Sequence, residues 1–209
     1  MWLFLMLCAC NSDGGLTQVA DDSSHGPGQE HLGFRPQPEY RPLFVMPPGE
    51  LPDPVPIEDA ASFLYEEGVI HDFRIELDGS ARAHLALDPR DDVHATFEYE
   101  GERWEVGLYL KGSWSFRTLA AKAAFKIDFH EWVPEQSFRG VRRLTLNNMV
   151  QDATMMREHA AYRLYAMRGL PAPRHGYARV WVDGTYYGLY GIVESMDQDF
   201  LDRAFPAEE

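Results

Sequence analysis

The sequence predicts an α+β domain, an antiparallel sheet covered by one main helix, and three observations point there. Short stretches of alternating polarity recur from residue 73 onward, one segment at helical spacing follows near residue 153, and a strong hairpin signal comes last. The 209 residues are 45% hydrophobic, which suffices for one sizeable domain or a small domain with a tail.

Phe73-Arg74-Ile75-Glu76-Leu77 alternates apolar with charged residues and stops at Asp78-Gly79, the pattern of a half-buried strand and its turn. Val93 to Tyr99 alternates in the same way until Gly101 breaks it, Trp104 to Leu110 makes a third strand, and Phe125 to Phe129 a fourth. Leu144-Thr145-Leu146 is a short strand before Asn147-Asn148. Asp152 is placed to cap a helix from about Ala153 to Arg168, with Met156, Ala160, Leu164 and Met167 as its apolar stripe and Gly169 and Pro171 as its stop. Tyr177 to Val182 and Tyr186 to Val193 flank Asp183-Gly184, the strongest hairpin signal in the chain, and a short helix is expected over Asp199 to Ala204.

The front of the chain reads differently. Residues 1–60 hold nine of the 14 prolines and carry 2 basic against 9 acidic residues, so 11–60 reads as a Pro-rich acidic linker ahead of a domain over 61–205. Residues 1–10 are an apolar run about half as long as a bilayer span. Leu7-Cys8-Ala9-Cys10 resembles a bacterial lipobox, which implies lipidation of Cys10, export, and a lipid anchor at the cell envelope. No Lys or Arg precedes the run, unlike an ordinary secretory leader, and a buried N-terminal strand is the other reading.

Charge and composition narrow the function classes. With 19 basic against 33 acidic residues the net charge is −14, which argues against nucleic acid as a partner. Two cysteines, both in the first ten residues, leave none for a disulfide framework or a thiolate metal site in the domain, and the eight histidines show no metal-binding spacing. One oddity points to chemistry: only three of the basic residues are lysines, and Lys111, Lys122 and Lys126 fall in one window of sixteen. Lysine is a compact point charge suited to phosphate, although a cluster on a solvated hairpin would look the same.

The stretch from about Val106 to Phe205 resembles the CotH family, the spore-coat protein H kinases. Four ordered blocks carry the resemblance: Leu108 to Ser115, Lys122-Ala123-Ala124-Phe125-Lys126-Ile127, Leu144 to Asn148 followed by Asp152 and Arg157-Glu158, and Val182 to Tyr190 leading to Glu194 and Asp197. The resemblance implies the N-lobe of an atypical protein kinase that uses ATP and Mg²⁺ to phosphorylate serine or threonine in secreted or surface proteins. It further implies a phosphate loop at Gly112, Ser113 and Ser115, a phosphate-binding lysine at Lys122 with Lys126 as second choice, and Glu158 as the partner that orients Lys122. Gly191 to Asp197 would be the hinge that meets adenine. Lys111 and Trp114 depart from the family's arginine and small residue in the loop.

In this family the base and metal-binding aspartates lie beyond the matched segment, so the Mg²⁺ ligands are expected outside this chain, and the 209 residues are expected to be inactive alone. A face around 191–205 should then expose an apolar patch. The competing readings are a noncatalytic adhesin-like module and a carbohydrate-binding domain using Trp104, Trp114 and Trp181.

Overall fold

The structure, a computed structural model, describes residues 59–205. Cys10, the 1–10 segment and nearly all of the 11–60 linker lie outside the described residues. After a 3-10 turn at Ser62–Tyr65, the elements are β1 (Ile70–Glu76), α1 (Gly79–Leu87), β2 (Val93–Tyr99), β3 (Glu102–Lys111), β4 (Ala124–Asp128), β5 (Arg143–Asn147), α2 (Arg157–Met167), β6 (His175–Val182), β7 (Thr185–Glu194) and α3 (Gln198–Ala204).

The α+β class holds, but the sheet is not open. Its order is β1-β2-β3-β4-β5-β7-β6, and β6 returns to β1 to close a seven-stranded barrel. All pairings are antiparallel except that last one, where Ile70 to Ile75 run parallel to Tyr177 to Val182. Closure leaves no free edge among the seven strands. It is fastened at the Asp183-Gly184 turn, where both residues take the positive φ a tight hairpin needs. The Asp183 carboxylate accepts from the Leu77 amide at 2.8 Å and pairs with Arg82 of α1.

Alternation explains the interior. Phe73 and Ile75 of β1, Phe97 of β2, Leu108 and Leu110 of β3, Phe125 and Ile127 of β4, and Leu144 and Leu146 of β5 point inward and are fully buried. Phe138, from the loop before β5, packs 5.2 Å from Phe97 and 5.3 Å from Phe129, ring centre to ring centre, and plugs one end of the barrel. Trp104 sits 5.0 Å from Phe138 in the same cluster.

Two local expectations fail for physical reasons. Asp78-Gly79 is not a hairpin turn: Asp78 caps α1 by accepting from the Ala81 amide at 2.7 Å, because Ala81, Ala83, Leu85 and Ala86 continue in helical favour. The apolar stripe expected to bury α2 faces solvent, with Met156 50% and Leu164 44% exposed, and no residue of α2 is buried. The face laid toward the barrel carries the half-buried Glu158, His159 and Tyr162. The helix starts later than predicted, although Asp152 still anchors its first turn by accepting from the Arg157 amide at 2.8 Å. Around α3, Phe200 is buried while Met196, Leu201 and Phe205 are exposed.

Candidate functional site

On the outer face of the barrel, β3, β4 and β5 run side by side. Tyr109 stands opposite Lys126, which stands opposite Thr145, while Lys111 and Asn147 occupy the next outward positions on β3 and β5. Lys111 and Lys126 are therefore diagonal neighbours on one face. Burial lowers the pKa of both ammonium groups; Glu158 raises that of Lys111 and Arg90 lowers it, while Asp197 raises that of Lys126 and Lys111 lowers it.

The partners of these lysines are neutral. Lys126 Nζ donates to Ser195 Oγ at 2.6 Å and Thr145 Oγ1 at 3.0 Å, and Lys111 Nζ donates to Asn147 Oδ1. Lys122 Nζ donates to the Leu189 carbonyl at 2.6 Å and lies 4.9 Å from the centre of the Tyr190 ring. Among the described residues, arginines form most of the ion pairs and histidines the remainder, and no lysine is in one. In a chain of charge −14 this leaves three partly dehydrated cations without a carboxylate in contact.

The structure does not bring Lys122 to Glu158. Glu158 sits at the start of α2 and accepts from Asn147 Nδ2 at 2.9 and 2.8 Å and from the Tyr162 hydroxyl at 3.2 Å. Lys122 lies at the far end of the β3–β4 loop, at the rim under which Tyr190 is buried. The lysine linked to Glu158 is Lys111, through the Asn147 side chain. Sequence reasoning noted Lys111 in the lysine cluster but gave no site role to Lys111, Asn147, Thr145 or Ser195. The lysine cluster and the outward position of Lys111 two residues beyond Tyr109 were the available signals for the first, and nothing local marks Ser195.

The loop expected to hold phosphate turns at Gly112. Gly112 has φ +110°, and a Cβ there would stand 2.9 Å from Ser115 Oγ and 3.1 Å from the Phe116 nitrogen. Asn148, almost wholly buried, donates from Nδ2 to the Ser115 carbonyl at 3.0 Å and the Lys122 carbonyl at 2.8 Å, so one amide clamps both sides of the loop. Ser113 and Trp114 remain exposed at its tip.

The expected hinge is largely committed elsewhere. Gly191 to Glu194 belong to β7, between β5 and β6, so only Ser195 to Asp197 lie outside the ladders. Glu194 is buried between Arg174 at 2.8 Å and Arg203 at 2.9 Å. A cavity of about 180 Å³ beside it is lined by Arg142, Arg143 and Arg174, each already paired with a carboxylate. The described residues contain no group of three His, Cys, Asp or Glu suited to a metal ion.

Residues 108–209 match the model of the family described as CotH kinase protein. This part of the chain belongs to the CotH family. The CotH segment begins inside β3, so β1, α1 and β2, which close the barrel, precede it. The chain is also similar to inner spore coat protein H of Bacillus subtilis strain 168, at 27% identity over 113 residues, or 54% of this chain. That match spans 30% of the relative's length. The outer-face lysines, the Gly112 loop and Glu158 all fall within the CotH segment.

Proposed function

We propose that the chain carries the nucleotide-binding part of a CotH-type protein kinase, which transfers the γ-phosphoryl group of ATP to serine or threonine of surface proteins. One observation carries the reading: Lys111 and Lys126 are held on one face with only neutral partners. Two half-buried cations side by side repel each other, and an anion between them relieves both the repulsion and the lost hydration. A triphosphate supplies that charge.

In this reading Lys111 and Lys126 bind and orient the phosphates, and the Gly112, Ser113 and Ser115 loop covers them with backbone amides. Lys122 flanks the loop. In the transfer itself a substrate hydroxyl oxygen attacks the γ phosphorus and ADP leaves. The residues described here supply binding and charge compensation, while Mg²⁺ and the base belong to other residues of the kinase. The same reading places the protein at an envelope or coat surface, through a lipid on Cys10, in keeping with a relative named as a spore coat protein.

Titration of the 209-residue chain with ATP by calorimetry tests this. Lys111→Ala and Lys126→Ala should each weaken binding about tenfold or more, with larger losses than Lys122→Ala. Failure of the parent chain to bind ATP at millimolar concentration, or binding unmoved by both outer-face variants, would sink it and favour the noncatalytic surface module.

A further inference from the structure

We infer that Asn147 is a positioning residue that ties Lys111 to Glu158 of α2, so that the place of this helix sets the pose of the lysine. The inference rests on the reading of Lys111 as a phosphate ligand.

The argument starts from what each group can do. A lysine ammonium only donates and a carboxylate only accepts, so the amide between them has one possible orientation. Oδ1 accepts from Lys111, and Nδ2 donates to both oxygens of Glu158, at 2.9 and 2.8 Å. Glu158 is fixed in turn by the Tyr162 hydroxyl one helical turn on, and it faces His175 Nε2 at 3.9 Å. Lys111 also feels Arg90, and its charge acts on Lys126.

A direct Lys–Glu ion pair would spend the lysine's charge on the helix. An intervening amide passes on orientation and leaves the ammonium without a carboxylate in contact, available to an anionic ligand. Few side chains can do this. Aspartate at 147 would lack the donor for Glu158 and repel it, and an apolar residue would serve neither side.

The test uses the 209-residue chain with isotopically labelled lysine. Its three lysines give three side-chain signals, assigned by single Lys→Arg changes. Asn147→Ala and Glu158→Gln should each move the Lys111 titration to lower pH, because each removes support for the charged form, and leave the Lys122 titration in place. Each should weaken ATP binding about tenfold, and the double variant should lose little more than either single one, since both act along one path. An unmoved Lys111 titration, or losses that simply add, would overturn the inference. Should Asn147→Ala not fold, Glu158→Gln keeps the helix side chain's shape and decides the matter alone through the same titration. The nucleotide reading fails separately: Lys111→Ala would then leave ATP affinity unchanged, while the Lys111 titration would still report on the tie to Glu158.

Discussion

The Arg174 guanidinium meets the Glu194 carboxylate at 2.8 Å, with side chains only 18% and 9% exposed. Arg203 closes on the same carboxylate from α3, and Arg174 reaches on to Asp59 at 2.8 Å, so one buried anion joins β7, α3 and the chain before the first strand. Burying these charges is tolerable only while all are paired.

Glu194→Ala therefore leaves two arginines without their shared counterion. A loss of about 3 kcal/mol in unfolding free energy is expected, measured by urea denaturation. A loss below about 1 kcal/mol would show that the arginines find water or other partners.

Gly112 is tied to its backbone conformation and to the space around it. Gly112→Ala should cost about 1–3 kcal/mol through the positive φ and the clash with Ser115 and Phe116. Amide exchange should quicken in the loop 112–123 while the strands stay protected. Unchanged exchange there would mean that the loop reshapes without strain.

Acid should destabilise the domain through His175. Burial, with His159 adding to it, lowers its pKa from 6.5 to about 4, and neither ring nitrogen has a hydrogen-bond partner among the described residues. The unfolded chain takes up this proton below pH 6.5 and the folded one only near pH 4, so stability falls as the pH drops through that window. The loss at pH 5 relative to pH 7 is about 2 kcal/mol from this group. His71, lowered by burial, acts in the same direction. His175→Phe should flatten the pH dependence and raise stability at pH 5; an identical slope in the two proteins would count against it.

Two leucines separate pattern from position. Leu164, on the stripe that reads as core, is exposed, and Leu164→Glu should change stability by no more than about 0.5 kcal/mol. Leu146, fully buried in β5, should cost about 2–5 kcal/mol as Leu146→Ala. Equal effects would mean that α2 packs along its apolar stripe after all.

The strands were legible because alternation is local. Val93 to Tyr99 matches β2 residue for residue, and Asp183-Gly184 makes the turn its dipeptide favours. Asp78-Gly79 was ambiguous because the same pair can open a hairpin or cap a helix, and helical preference over the next residues decided it. The stripe on α2 misled because helical periodicity shows that a face is apolar, not what that face meets. The candidate site was legible by region and not by pairing. The resemblance pointed to Lys122 with Glu158, whereas Asn147 joins Glu158 to Lys111.

By itself the sequence determined the α+β class, the strand segments, the lysine cluster and the CotH resemblance, because each rests on spacing within a few residues. Tertiary structure alone decided the rest. Barrel closure joins β1 to β6 across about a hundred residues, and the choice of Lys111 depends on which side chains three strands and a helix bring to one face. Neither is visible locally, since a strand's alternation names two faces without saying which partners will cover them.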